Sequence, residues 1–290
     1  MANLSSALGA SLTAVSARYW DQNEALPQLT GAHTMLVQGY SVLLCRLAQG
    51  IDIKYNVRIK HIDYSTDNEV SVTASDGSIH KGEKLLITAP LAVLKQNSLM
   101  WDPPLPDDKR EAIQKLGAGI VEKVILQFPR RFWDKVLSEY GGPFFGCVPI
   151  AETPGMFTVF YDTNPHAAVL TASVSGPALA EYRGMSDEAV VSEALNTLRT
   201  YFPRENIPEP VRFRVSRWSD DENVGMTFSF LPVGVSGHTY DVMAQSVGNS
   251  LYFAGEATSR QFPQSVSGAV LSGWREAEKI VKSYIKTEVD

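Results

Sequence analysis

The chain has 290 residues, of which 44% are hydrophobic and 20% charged, and its formal net charge is −6. A chain of this composition can bury a sizeable core, which excludes an intrinsically disordered protein and predicts one large domain or two intertwined subdomains. The acidic balance argues against direct nucleic-acid binding and is compatible with a basic peptide substrate.

Helix and strand patterns alternate through the first part of the chain. Asp76-Gly77 lies between two strand-like runs and predicts a hairpin, because this dipeptide tolerates the positive φ angles of a tight turn. A run rich in β-branched residues, Ile51 to Tyr64, predicts a strand. The other predicted elements are helices over 5–18, 41–49 and 107–116 and strands over 70–74 and 79–88.

The mixed pattern continues to the C-terminus, so the fold class is α+β or α/β. Ser186 is a predicted helix N-cap, because apolar residues recur at helical spacing after it. Gly117-Ala118-Gly119 lies between a helix and a strand and is predicted to be a loop. The other predicted elements are strands over 121–128, 157–162, 168–174, 211–218 and 226–231 and helices over 186–202 and 267–286.

Several classes of site are not indicated. The only two cysteines, Cys45 and Cys147, do not make a disulfide framework, and no metal-ligand spacing occurs, so we expect no metal. No apolar run reaches the roughly 18 residues of a membrane span, and no signal peptide is recognisable. No sustained heptad pattern occurs in the sequence, so no coiled coil is predicted.

The most informative stretch runs from Leu251 to Gly273. An apolar run ends at Gly255, where a missing Cβ lets a ligand approach the backbone, and small residues then open a long amphipathic helix. The start of such a helix offers free N–H groups to an anionic ligand such as a phosphate. The pattern indicates a flavin-binding strand, turn and helix, with simple packing as the alternative.

The longer string FAGEATSRQFPQSVSGAVLSGWREA resembles the C-terminal FAD-binding motif of the flavin-containing amine oxidases, most closely that of the lysine-specific histone demethylases. Ordered matches to the same family occur nearly end to end, at Trp20-Asp21, Ala89-Pro90-Leu91, Leu116 to Lys123 and Arg217-Trp218. The resemblance implies the fold of an FAD-dependent amine oxidase, with FAD as the cofactor.

One family feature is missing from the chain. In the family, the ADP half of FAD sits on an N-terminal strand-turn-helix with the pattern G-x-G-x-x-G, and no such Rossmann unit occurs here. We therefore expect residues 1–290 to be a partial amine oxidase domain, with about 1–90 and 245–290 on the FAD-binding side and about 91–244 mostly on the substrate side. The chain is either a fragment of a longer protein or a shortened paralogue.

Lys123 matches the family's catalytic lysine, which holds a water beside flavin N5. Its setting before Val124-Ile125-Leu126 favours burial with a lowered pKa. The alternative for this residue is a strand-end lysine that reaches solvent.

Other site residues follow from the same resemblance. Trp218 matches the tryptophan beside the isoalloxazine, Phe228 replaces an aromatic cage tyrosine, and Asn223 stands where tryptophan is common; the alternative is that the aromatic residues are core. Asp21 and Glu24 are candidate contacts for a basic tail, or lie in a solvated turn. The predicted cofactor contacts are Ile59, Ala89, Pro90, Leu91, Trp218, Gly255, Glu256, Ala257, Ser265 and Val266.

The resemblance implies oxidative demethylation of mono- or dimethyl-lysine in a histone tail, with release of formaldehyde and hydrogen peroxide. Two alternatives remain: a polyamine oxidase, and a truncated histone-binding paralogue that holds no FAD. The expected partners are the histone tail and a chromatin-associated protein, with no membrane and no direct nucleic acid, and the expected location is the nucleus.

Overall fold

The computed structural model describes residues 7–31, 36, 38–96, 98–146, 156–164 and 166–287. The helices are α1 (Tyr40–Leu47), α2 (Leu91–Lys95), α3 (Asp107–Lys115), α4 (Asp134–Tyr140), α5 (Leu179–Arg183), α6 (Asp187–Tyr201), α7 (His238–Met243) and α8 (Val266–Thr287). The strands are β1 (Ile59–Thr66), β2 (Glu69–Ala74), β3 (Ile79–Gly82), β4 (Leu85–Ile87), β5 (Met100–Asp102), β6 (Gly117–Gly119), β7 (Val121–Gln127), β8 (Phe144–Gly146), β9 (Val159–Tyr161), β10 (Val169–Ser175), β11 (Arg212–Val215), β12 (Phe228–Phe230) and β13 (Leu251–Phe253). Short 3₁₀ turns cover Gly176–Ala178, Trp218–Asp220 and Glu256–Thr258.

The chain divides into two compact units, each assembled from separated segments. Unit 1 comprises Met1–Trp20, Pro90–Ala92 and Leu116–Ser236. Unit 2 comprises Asp21–Ala89, Val93–Lys115 and Gly237–Asp290.

Unit 1 is built on a five-stranded sheet in the order β11-β7-β10-β9-β8, with antiparallel neighbours. Helix α6 packs against β7 and β11 and buries one apolar stripe, which includes Val190, Leu195 and Leu198. Ser186 caps this helix as predicted, because its side chain accepts a hydrogen bond from the backbone N–H of Ala189. The resulting core continues into an aromatic cluster around Trp133, which is fully buried.

A second, two-stranded sheet in unit 1 pairs β6 with β12. The predicted loop at Gly117-Ala118-Gly119 is therefore wrong. A Cβ at Gly117 would lie 2.3 Å from the ring of Phe230, and one at Gly119 would lie 2.6 Å from the carbonyl oxygen of Leu8. These glycines allow a close strand approach that larger residues would block.

The predicted helix over residues 5–18 is too long: of its described part, which begins at residue 7, only residues 7 and 8 are helical. Gly9 adopts a φ of +62°, and the segment after it forms turns. Ser16 N–H donates to the carbonyl of Leu231 at 2.9 Å, and Val233 N–H donates to that of Ala14 at 3.0 Å. These backbone groups therefore pair with a distant segment and not with a helical turn.

Unit 2 contains a four-stranded sheet in the order β3-β2-β1-β5 and a parallel pair of β4 with β13. The predicted hairpin is confirmed, since β2 and β3 are antiparallel around Gly77, which has a φ of +86°. The strand predicted from Ile51 begins only at Ile59, and Asn56 before it has a φ of +59°, which marks a turn. Helix α3 packs on α7, and α8 packs on the 256–258 turn.

Most other predicted elements are confirmed to within a few residues, including α1, α3, β7, β10 and α8. Within the described ranges, no helix is long and apolar enough to cross a lipid bilayer. Cys45 is exposed, and Cys147 lies outside the described residues.

Candidate active site

The motif around Gly255 forms a backbone bend at the end of a buried strand. Strand β13 is fully buried, and Ala254 N–H donates to the Ile87 carbonyl at 3.0 Å. Gly255 then adopts φ +128° and ψ 168°, a conformation that is essentially restricted to glycine. Its N–H donates to the Ser272 hydroxyl at 2.8 Å, and apart from its two chain neighbours no described residue has an atom within 4 Å of an added Cβ. The bend therefore leaves open space directly beside the backbone.

The turn after Gly255 and the loop that follows it are fixed by short-range bonds. The Thr258 hydroxyl donates to the Gly255 carbonyl at 2.8 Å, and the Glu256 carboxylate accepts from Gln264 N–H at 2.9 Å. Ala257 is buried. The loop lies close on the first turn of α8, since a Cβ at Gly268 would approach the Phe262 carbonyl to 1.9 Å.

Ser265 stands immediately before α8 and acts as its cap. Its hydroxyl accepts from Gly268 N–H at 3.0 Å and donates to the Phe262 carbonyl at 2.8 Å. Val266, the first residue of the helix, is about half exposed. The structure thus brings Gly255, Glu256, Ala257, Ser265 and Val266 into one continuous strand-turn-loop-helix segment.

The other residues predicted for the cofactor or the basic tail in unit 2 lie on separate segments. Ile59 opens β1 opposite Ala74 and is half-buried, and Ala89 follows β4. Asp21 and Glu24 share a turn, in which Glu24 N–H donates to the Asp21 carbonyl at 2.9 Å. Glu24 is exposed and Asp21 is half-buried. Their predicted roles remain predictions.

In unit 1, strand β7 carries Lys123 on its exposed face. Glu122, Val124 and Leu126 are fully buried, whereas Lys123, Ile125 and Gln127 are exposed. The predicted burial of Lys123 is therefore wrong for this structure. The physical reason is the two-residue period of a strand, which turns Lys123 away from the core that holds its neighbours.

Trp218 is linked to Lys123 through Ser216. The Ser216 hydroxyl accepts from Lys123 N–H at 2.8 Å, and Ser216 N–H donates to the Lys123 carbonyl at 2.9 Å. Trp218 begins the adjacent 3₁₀ turn and is 38% exposed. One strand-and-turn segment therefore holds both predicted residues in place.

The remaining predicted residues of unit 1 lie on other segments. Phe228 opens β12 opposite Gly119 and is half-buried, and the neighbouring Thr227 hydroxyl accepts from Val121 N–H at 2.8 Å. Asn223 is exposed in a turn, where its N–H donates to Asp221 at 2.8 Å. Pro90 is half-buried, and Leu91 is only 1% exposed.

Comparisons with known proteins decide the family. The family described as flavin containing amine oxidoreductase matches residues 1–281. The chain belongs to this family. The predicted fold class is thereby confirmed.

Curated proteins similar to this chain include two named as lysine-specific histone demethylases. The chain is 46% identical over 283 residues to "Lysine-specific histone demethylase 2" of Homo sapiens, covering 97% of this chain and 34% of the human protein. It is 37% identical over 286 residues to "Lysine-specific histone demethylase 1 homolog 2" of Oryza sativa subsp. japonica, covering 97% of this chain and 37% of that protein. The chain spans about a third of the length of these relatives.

A solved structure supports the amine oxidase fold. Putrescine oxidase bound to putrescine matches with a TM-score of 0.68 and 23% identity, covering 84% of this chain and 53% of that chain. At this identity the likeness concerns the fold alone.

The sequence patterns of this amine oxidase chain did not indicate two residues that support the predicted site residues. Arg275 on α8 donates to the Thr258 carbonyl at 3.0 Å and to the Phe253 carbonyl at 3.2 Å, which ties the helix to the Gly255 bend. No local signal indicates it, because its partners lie 17 and 22 residues upstream in sequence. Glu122, the second residue, could have been found from the alternation of β7, since it is in phase with Val124 and Leu126.

Proposed function

We propose that this chain forms part of an FAD-dependent histone lysine demethylase, which removes methyl groups oxidatively from mono- or dimethyl-lysine in a histone tail. The observation that carries the proposal is 46% identity across 97% of the chain to a human protein named as a lysine-specific histone demethylase. Formaldehyde and hydrogen peroxide are the expected products.

The residues around Gly255 fit a flavin cofactor. Gly255 has a glycine-restricted conformation and open space where a side chain would stand, which suits close approach of a ligand to the backbone. Gly255, Glu256, Ala257, Ser265 and Val266 would hold FAD, and Ile59, Ala89, Pro90, Leu91 and Trp218 are the further proposed cofactor contacts. When bound, FAD supplies the acceptor for the hydride equivalent that leaves the carbon attached to the substrate nitrogen.

Lys123 is the proposed catalytic residue of the chain. Its exposed position on β7 leaves its ammonium group accessible to a water molecule, through which it would move a proton. Trp218 and Phe228 would present aromatic faces to an alkylamine, with Asn223 beside them. Trimethyl-lysine is not a substrate under this proposal, because a quaternary nitrogen has no lone pair.

The proposed substrate and setting follow from the same relatives. A histone tail is basic, and the carboxylates of Asp21 and Glu24 on an acidic chain would attract it. A histone substrate implies a nuclear, chromatin-associated role, in which a chromatin protein partner would deliver the enzyme. We propose no direct nucleic-acid contact for this chain.

The first test is the absorbance spectrum of the 290-residue chain after incubation with FAD and desalting. A retained flavin band with vibronic structure is the expected result if these residues form enough of the site alone. A colourless protein would mean that this chain by itself is not a flavoprotein.

The second test offers the FAD-loaded protein histone-tail peptides with mono-, di- or trimethyl-lysine. We expect formaldehyde from the first two peptides and none from the third. Oxidation of putrescine without any reaction of the peptides would contradict the proposal in favour of a polyamine oxidase. Peptide binding without turnover would indicate a non-catalytic histone-binding protein.

A further inference from the structure

Strand β7 buries a carboxylate next to the proposed catalytic lysine. Glu122 is 0% exposed, although it precedes the exposed Lys123 by a single residue. Burying a carboxylate costs free energy unless hydrogen-bond donors surround it. The donors to Glu122 therefore show which segment this side chain stabilises.

Three donors to Glu122 come from one short segment, residues 216–220, which we call the Trp218 turn. Glu122 Oε1 accepts from Ser219 N–H at 2.9 Å. Glu122 Oε2 accepts from Trp218 N–H at 3.2 Å and also from the Ser216 hydroxyl. Three donors from one segment therefore converge on this buried side chain, which ties the turn to strand β7.

The same contacts connect the turn to the backbone of Lys123. Ser216 forms two hydrogen bonds with the backbone of Lys123, one to its N–H and one to its carbonyl. The Ser216 carbonyl also accepts from the buried Tyr182 hydroxyl at 2.7 Å. Burial raises the pKa of Tyr182, which keeps this hydroxyl protonated as a donor. The Trp218 turn and the Lys123 backbone are thus held to each other through Ser216 and Glu122.

Arg217 holds the opposite side of the turn and takes no part in the bonds to Glu122 described above. Its guanidinium donates to the Met185 carbonyl and to Asp187, each at 2.8 Å. The turn is therefore fixed on two sides: Arg217 ties it to Met185 and Asp187, and Glu122 ties it to the strand that carries Lys123.

We infer that Glu122 is a positioning residue of the amine oxidase site, which sets the backbone of Trp218 relative to Lys123. The inference rests on the proposed function, because Trp218 and Lys123 are site residues only if the chain holds a flavin and an amine. Glutamine at position 122 keeps the size of the side chain but offers one acceptor and one donor group. Its single carbonyl oxygen can therefore accept from the Trp218 N–H or from the Ser219 N–H, but not from both. Its NH₂ group would face the other N–H, which is also a donor.

The direct test is amide hydrogen exchange of the 290-residue chain, resolved by residue. In Glu122→Gln, we expect exchange of the Trp218 amide or the Ser219 amide, whichever loses its acceptor oxygen, to accelerate by roughly 10- to 100-fold, the range for a buried donor left without an acceptor. Glu188→Gln, an exposed charge-matched control in unit 1, should leave both amides unchanged. Unchanged exchange of these amides in Glu122→Gln would overturn the inference.

A second variant covers the case in which Glu122→Gln does not fold. Ser216→Ala removes the hydroxyl shared by Glu122 and Lys123, and it should accelerate exchange of the Lys123 amide while Trp218 and Ser219 stay bound to the carboxylate. If Lys123 exchange is unaffected, the turn and the strand are not coupled as inferred.

Kinetics separate this inference from the proposed function. In the FAD-loaded protein, Glu122→Gln should lower kcat by roughly 10-fold with little change in KM, because positioning and not substrate binding is lost. If no flavin is retained but exchange at Trp218 or Ser219 responds, Glu122 still fixes the turn relative to the Lys123 backbone, whereas its role in an amine oxidase site fails together with the proposed function. If the variant keeps normal exchange while the wild type demethylates, the positioning role fails alone.

Discussion

Two lysines of this molecule lie in opposite environments, and in neither case does the environment match the average hydrophobicity of the surrounding sequence. Lys123 precedes an apolar run on β7 and is exposed, whereas Lys109 lies in the polar helix α3 and is only 2% exposed. Lys109 donates to the carbonyls of Val242, Met243 and Gln245 at 2.6–2.8 Å, all at the C-terminal end of α7 or just beyond it. The comparison teaches that partners, and not local hydrophobicity, decide where a charge is placed.

Each lysine suits a different task. The Lys109 Nζ also lies 4.1 Å from the centroid of the Phe253 ring, so the side chain joins α3, α7 and β13 within unit 2. The backbone of Lys123 pairs with β10 in the sheet, whereas its side chain is exposed. We therefore expect substitution of Lys123 to alter chemistry, and substitution of Lys109 to alter stability.

The largest effect is expected from Lys123→Met on turnover. Removing a proton-handling group typically costs roughly 100- to 10,000-fold in rate, so peroxide release by the FAD-loaded protein should fall within that range. The stability of the chain in urea should change by no more than about 0.5 kcal/mol, because the side chain is exposed. Unchanged turnover would remove Lys123 from the catalytic role.

Lys109→Met should produce the converse result, a loss of stability. Three carbonyl groups lose their buried donor, and we expect unfolding in urea to show a loss of about 3 kcal/mol. Lys115→Met on the same helix is the matched control, since Lys115 only pairs with exposed Glu111. Equal effects of the two variants would contradict the assigned role of Lys109.

The pH dependence of stability sharpens the same contrast. Burial lowers the pKa of Lys109 to about 7 from its ordinary value of 10.5. Between these two pH values the unfolded chain binds the proton more strongly than the folded chain, so stability should rise with pH from 7 upward. We expect a gain on the order of 1–2 kcal/mol by pH 9, measured as the difference from Lys109→Met. An identical pH profile in the variant would show that Lys109 does not titrate in this window.

The sequence predicted features that depend on near neighbours. The Asp76-Gly77 hairpin, the Ser186 cap and the Gly255 bend each arise from residues within a few positions of one another, and the structure contains all three. Features that depend on distant partners were missed. The segment around Val15 pairs with Pro232, and Arg275 reaches back to Phe253, neither of which a local pattern can indicate.

The site itself shows the same division. The resemblance supplied Lys123 and Trp218 as residue types in order, but it did not supply the buried carboxylate that links them. Alternation along β7 would have placed Glu122 inward and Lys123 outward, had the phase of the strand been taken from Val124 and Leu126. The apolar run after Lys123 was the misleading signal, because only alternate members of it face the core.

The smallest effect is expected where sequence and structure agree, at the cap of α6. Ser186→Ala removes the acceptor of the Ala189 N–H and should destabilise the chain by about 1 kcal/mol in urea. Ser192→Ala, at an exposed position within the same helix, should instead stabilise slightly, because alanine has the higher helix propensity. If the two substitutions change the free energy of unfolding in opposite directions, the local cap bond decides the effect at Ser186. At Lys109, by contrast, the partners lie more than 100 residues away in sequence. Equal signs would mean that the cap bond contributes less than helix propensity.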